Sequence, residues 1–340
     1  MKIFITGNSR SGTTMMSRIL GNHESVYSFQ ELHFFDEIVP NGKATDTIDS
    51  AKAAKIYASL CAIQRNGYFG SRNPTPFLTE AREALNELNS LSSLNVFEKF
   101  LVSEAKKNKK AIPCEQTPQN IFSLNDILTH VKDAKVIIMV RDPRQVMLSQ
   151  KNKWKRRKLS GGEIPRLESI RSRINYHPVT ISKIWKSAMQ TASKFLNNPS
   201  VMIVKYEELI QNPEKIIKQV CAHCSLTFNE AMLDIPVVGS SNFNDSRQQR
   251  GIDTSKINLW ENGGLNNTEI DICQKINGDL MHQFGYELKS VNDDLLQLSM
   301  YRISMPFRMG LALLFNLKRL RYGLRILSRR GTPARRGGDS

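Results

Sequence analysis

Two sets of residues in this 340-residue chain have the types and spacing to hold an anion. The first is Gly7-Asn-Ser-Arg-Ser-Gly12-Thr-Thr, which follows the run Ile3-Phe4-Ile5-Thr6 and precedes Met-Met-Ser-Arg-Ile-Leu. A strand, a glycine-bracketed turn and a helix start aim successive backbone N–H groups and a helix dipole at one place, a cradle for phosphate. Two glycines separated by four residues have the spacing of a nucleotide phosphate loop, but the lysine expected next is Thr13. Around the Gly12 backbone, Arg10, Ser11, Thr13 and Thr14 supply one guanidinium and three hydroxyls instead. The second set is Arg141, Ser149 and Lys153. Arg141 ends the strongest apolar run, Lys135 to Val140, where a magnesium-dependent phosphate-loop enzyme usually has an acid. Ser149 falls about two turns into the following helix and Lys153 at i+4 beyond it, which makes a second, metal-free anion pocket. The plain structural alternatives are an unliganded tight turn and an arginine capping a neighbouring helix.

Five short strands have to carry these groups: residues 3–6, 25–29, 111–115, 135–140 and 201–205. Helices are expected over 13–22, 46–66 and 79–107, with starts at Thr79-Glu80 and at Ser92. Others open at Thr117-Pro118, Asp142-Pro143 and Asn212-Pro213, each a capping residue followed by proline at the first helical position. The last of these runs to about Cys224, and a short helix begins near Thr268. Strand–helix alternation predicts a three-layer α/β fold with a mostly parallel central sheet flanked by helices. Ligands of such sheets sit at the C-terminal ends of the strands, where both anion sets lie. Two anion pockets with neither the lysine nor a magnesium carboxylate fit an ATPase or kinase poorly. They fit a nucleotide phosphorylated at both ends of its ribose.

These segments resemble the PAPS-dependent sulfotransferases, especially the branch of tyrosylprotein and bacterial-type enzymes, over residues 1–290. Arg10 to Thr14 is similar to their 5′-phosphosulfate loop, and RDPRQVMLS, from Arg141 to Ser149, to their 3′-phosphate motif. KYEELIQNPE resembles a segment whose tyrosine, here Tyr206, lies near the nucleotide, and SKINLWENGGL one that closes over the cofactor. The resemblance implies a P-loop-like fold and sulfuryl transfer from PAPS to an acceptor hydroxyl or amine, leaving PAP, with no metal. It also implies that Glu31 is the base, with His33 as the other candidate. Related enzymes often carry a lysine where this chain has Gln116, which leaves Arg10, Arg144 or another cation to hold charge at the leaving group. A non-catalytic nucleotide or polyanion binder and a P-loop kinase are the alternatives.

The formal net charge is +16, and residues 301–340 hold ten Lys or Arg against one Asp. A second basic stretch, residues 151–173, has nine Lys or Arg around Trp154. It suits a carbohydrate or lipid-linked saccharide acceptor, and no aromatic-rich motif makes it a specific nucleic-acid site. From Pro306 to Arg330, leucines 313, 317, 320, 324 and 327 and cations 318, 321, 325 and 329 form two helical stripes. That is a cationic amphipathic helix for an anionic membrane surface or for packing against protein. The domain plan is thus a sulfotransferase domain over 1–300, a basic extension over 301–330 and a disordered tail over 331–340. Five scattered cysteines and the absence of a leader-like pattern after Met1 make a cytoplasmic chain the expectation, peripheral at the membrane's inner face if the extension binds lipid. Cys221-Ala-His-Cys224 has metal-like local spacing but sits in a helical pattern, which favours packing.

Overall fold

The computed structural model describes residues 1–39, 43–67, 70–88, 90–155, 158–159, 162–236, 250–292 and 294–315. Five parallel strands form the sheet: β1 (Lys2–Gly7), β2 (Val26–Ser28), β3 (Ile112–Gln116), β4 (Ala134–Val140) and, last in the chain, β7 (Val201–Lys205), in the order β2-β3-β1-β4-β7. Between β4 and β7 a small antiparallel pair, β5 (Lys158–Leu159) and β6 (Gly162–Glu163), follows the basic turn at Trp154. Side-chain alternation splits the core into two layers. Phe4, Val136, Ile138 and Val140 face one apolar cluster, whereas Ile3, Ile5, Ile137 and Met139 face another. A strand buried on both faces cannot alternate polar with apolar, which is why β4 is apolar without a break from Val136 to Val140.

Helices α1 (Thr13–Gly21), α9 (Tyr206–Gln211) and α10 (Pro213–His223) cover the second face; α2 (Ser50–Asn66), α3 (Leu78–Leu85), α4 (Ser93–Lys107), α5 (Leu124–His130) and α8 (Pro178–Ser193) cover the first. The expected helix over 46–66 starts at Ser50 because Asp49 caps it, while Thr47 bridges to Ser92 in extended conformation. The expected stretch 79–107 is two helices, the second capped by the Ser92 side chain. Thr117 does not cap with its side chain. Its hydroxyl bonds Glu115, and a 3₁₀ turn over Pro118–Ser123 intervenes before α5.

Helix α6 (Pro143–Lys151) follows β4 directly, with the Asp142 carboxylate accepting from the Arg144 N–H. Then come α7 (Arg166–Ile174) and, after β7, α11 (Asn267–Gln283), which opens with a capping box between Asn266 and Glu269. The last described element is α12 (Leu295–Phe315). It starts eleven residues ahead of Pro306, which lies in its interior rather than at its start. The predicted stripes beyond Phe315 lie outside the described residues. Cys221 and Cys224 are buried free thiols in the second core cluster, with Cys221 Sγ 3.9 Å from Met232 Sδ, so this pair serves packing.

Candidate active site

The parallel register brings the C-terminal ends of β1, β3, β4 and β7 to one edge: Ile5 pairs with Gln116, Gly7 with Met139, and Val140 with Lys205. From this edge the chain leaves β1 through a loop with alternating handedness. Arg10 has φ 78° and Gly12 φ 95°, with Ser11 between them. Such a nest directs backbone N–H groups inward. Gly12 is the N-cap of α1, and no side chain caps this helix. The first-turn N–H groups therefore remain for an incoming anion.

The loop and the end of β4 are joined. Arg141 Nη1 donates to the Arg10 carbonyl at 3.0 Å, and Arg10 Nε donates to Ser149 Oγ at 3.0 Å. The Arg141 guanidinium lies 3.9 Å over the Tyr206 ring. Tyr206 in turn closes against the loop: a Cβ added at Gly12 would stand 2.5 Å from its ring. Arg141 is 2% exposed, yet its Nε and Nη2, like the buried hydroxyl of Ser11, have no hydrogen-bond partner among the described residues. A buried guanidinium with two idle donors costs several kcal/mol, roughly the scale of a broken buried ion pair, and a phosphate beside it removes that cost. The residues present therefore fit a phosphorylated nucleotide.

Beyond β2, Glu31 and His33 form a second cluster. His33 sits in the left-handed region at φ 52° and leads into a π-helical turn over Phe34–Ile38. Its ring is clamped: Nδ1 lies 3.0 Å from Asp36 Oδ2, and Nε2 lies 3.4 Å from Glu31 Oε2. Burial alone would lower its pKa, but the hydrogen bonds to Asp36 and Glu31 outweigh it and push the imidazole up to about 10. His33 is therefore an imidazolium at neutral pH. Glu31 keeps 30% of its side chain exposed. Beneath them Glu115, at the end of β3, is pushed up to about 8 by burial. It accepts from the Leu32 N–H at 3.4 Å and from Asn120 Nδ2 at 2.6 Å, fixing the Glu31–His33 segment to the sheet edge. One group has ligand atoms close enough for a metal among the described residues, His33, Asp36 and Glu37, all within 4.8 Å; Glu37 also pairs with Arg72.

Lys153 departs from its predicted place. Helix α6 ends at Lys151, which is drawn to Glu269 at 2.7 Å, and Asn152 caps it. Lys153 is exposed on a separate 3₁₀ turn, so it does not continue the helix that carries Ser149. Arg144 is equally committed elsewhere. It is buried between Asp142 at 2.7 Å and Gln274 at 2.9 Å and stacks 4.0 Å over Trp260. Gln116 stays at the edge, its Oε1 buried and without a partner among the described residues. Sequence patterning passed over Glu115 and Asp36. An acid in the apolar segment Ile112–Gln116 was the available signal for the first, and the i+3 spacing from His33 for the second.

A parallel sheet with a glycine-bracketed loop at its edge, tied to Arg141 and Ser149 after β4, is an α/β arrangement of the phosphate-loop kind. A sulfotransferase family profile matches residues 2–230, and the chain belongs to the sulfotransferase family. None of the curated protein sequences matches it. Among solved structures it is similar to the sulfotransferase domain from the curacin biosynthetic pathway, at 19% identity and TM-score 0.52, covering 84% of this chain and 98% of that one. It is also similar to the sulfotransferase domain of the Synechococcus PCC 7002 olefin synthase, at 18% identity and TM-score 0.53, covering 85% and 95%. These likenesses establish the fold, and family membership makes the protein a sulfotransferase.

Proposed function

We propose that the protein moves a sulfuryl group from PAPS to a hydroxyl or amine, with Glu31 taking the acceptor's proton. The observation that carries this reading is the buried Arg141 guanidinium with two unengaged donors, set against the nest and open helix start of the Gly7–Gly12 loop. Ser11, Gly12, Thr13 and Thr14 would hold the 5′ end of the donor, and Arg141 and Ser149 its 3′-phosphate, with Arg10 between the two and Tyr206 backing Arg141. When bound, PAPS supplies the sulfuryl group: its sulfur–oxygen bond to phosphate breaks as the acceptor's oxygen or nitrogen bonds to sulfur, leaving PAP. His33 is already protonated by its clamp and cannot accept a proton, which leaves the partly exposed Glu31 carboxylate as the base. The His33 cation beside it and Arg10 supply positive charge at an edge where Gln116 supplies none.

The acceptor in this reading is a carbohydrate or glycolipid hydroxyl. Support comes from Trp154, flanked by Arg173 at 5.1 Å and Lys155 at 5.9 Å, which pairs an aromatic face with cations. The buried, free cysteines fit a reducing cytoplasm. No described helix is long and apolar enough to cross a membrane. The test is calorimetric titration with PAP in EDTA, paired with turnover of labelled PAPS over a panel of saccharides. Arg141→Ala should lower PAP affinity by at least about 100-fold, the scale of a charged hydrogen-bond pair. Glu31→Gln should bind PAP as the parent does and lose turnover. Strictly magnesium-dependent ATP binding with no PAP binding overturns the donor assignment, and an active Glu31→Gln overturns the base.

A further inference from the structure

Among the described residues, the hydrogen bonds and ring contact that tie helix α12 to the domain come from one face. Tyr301 Oη accepts from Asn266 Nδ2 at 3.3 Å, and the Tyr301 ring packs edge-on to His177. Arg308 Nη1 donates to the Tyr176 carbonyl at 3.0 Å, and Arg171 Nε donates to the Phe315 carbonyl at 2.9 Å. These contacts fix the rotation of the helix about its axis. On the opposite side, Leu296, Met300, Ile303, Phe307, Leu311 and Leu314 recur every three or four residues, a straight stripe along the helix. All six are exposed, with Leu296 at 80%, Phe307 at 72% and Leu314 at 63%. Helix α7, which packs against α12, also carries exposed Leu167 and Ile170. A contiguous apolar face of this kind marks a contact surface rather than ordinary scatter.

The charge around the stripe says what covers it. No Asp or Glu lies between Leu295 and Phe315, which carry Arg302 and Arg308. The sequence that continues from Phe315, residues 316–340, holds eight Lys or Arg and one Asp. We propose that this outward face of α12 lies in the interface of an anionic lipid bilayer, a charge preference that matches the basic composition of the sequence around and after it. The helix is about 30 Å long at 1.5 Å per residue. Its polar side is bonded to the domain, and no described helix is long and apolar enough to cross a membrane. It therefore lies flat, apolar face down, as in other surface-bound amphipathic helices. The lipid-facing stripe differs from the one foreseen on leucines 313 to 327 and uses residues nearer the domain.

The test is co-sedimentation of the full chain with phosphatidylcholine vesicles, with and without phosphatidylglycerol, alongside light scattering of the free protein. The protein should pellet with the anionic vesicles at least about ten-fold more than with the neutral ones, and high salt should weaken the binding. Phe307→Asp combined with Leu314→Asp should abolish pelleting and leave the thermal midpoint unchanged, because both side chains are exposed. In a second variant, Arg321→Glu with Arg325→Glu should weaken anionic binding with the apolar stripe intact. The proposal is overturned if the parent stays in the supernatant with anionic vesicles, or if the aspartate variant pellets as the parent does. A parent dimer that becomes monomeric in the aspartate variant assigns the stripe to a second copy of the chain and equally overturns it.

Discussion

At the scale of single residues, the roles proposed for Glu31 and His33 are divided by environment rather than by intrinsic basicity. An unperturbed imidazole is the better base at neutral pH. The carboxylates that clamp His33, however, hold its proton up to about pH 10. Clamped in this way it would serve the proposed transfer as a cation and a fixed anchor for Glu31. The clamp also writes itself into stability. His33 binds its proton more tightly folded than unfolded, so its contribution is full below about pH 6.5 and is lost as pH rises toward 10. Glu115, raised by burial to about 8, acts in the same direction from about pH 4.5 upward. The thermal midpoint should therefore fall steadily between pH 6.5 and 10, and His33→Gln should flatten that slope. Differential scanning fluorimetry across the range checks it; parallel slopes in parent and variant would show that the clamp holds no extra proton.

At the scale of elements, the loop between β1 and α1 is the part whose geometry admits least change. Gly12 combines φ 95° with a neighbour, Tyr206, into whose ring a Cβ would project. In Gly12→Ala the left-handed backbone costs roughly 1–2 kcal/mol, and the clash about as much again. The clash also presses on the ring that backs Arg141. Gly12→Ala should thus lower PAP affinity by at least about ten-fold, while Gly12→Ala with Tyr206→Ala should recover the steric share of stability and not the backbone share. Chemical denaturation of the two variants separates these shares. This loop was legible in the sequence because its signals are local: an apolar run, two glycines and a helix start. The same holds for β4 and for the Arg141-to-Ser149 spacing. The end of α6 was not legible: the helix stops where Lys151 meets Glu269, a partner 118 residues away that no local pattern contains, and Lys153 falls on the turn beyond it. The left-handed His33, the π-helical turn and the buried Glu115 were likewise hidden, since each depends on contacts between β2, β3 and the segment after them.

At the scale of the whole molecule, residues 250–292 are bolted to the sheet edge through α6, and Arg144 is the bolt. Its guanidinium joins Asp142, the cap of α6, to Gln274 of α11, and its face lies on Trp260. Gln274 continues the chain of bonds to Lys289 in both directions, and Gln145 accepts from the Trp260 N–H. Sequence alone offered Arg144 as a cation for the leaving group; its burial against an acid and an aromatic ring argues for a structural role. The two roles predict opposite results. A catalytic cation removed by Arg144→Ala would lower turnover and leave stability unchanged. A bolt removed leaves Asp142 buried and unpaired, which costs about 3–5 kcal/mol. Urea unfolding of Arg144→Ala should show that loss. At a temperature where the variant is still folded, its turnover should stay within about ten-fold of the parent. Loss of turnover at unchanged stability would return Arg144 to the reacting centre and require a path from Trp260 to the phosphate loop.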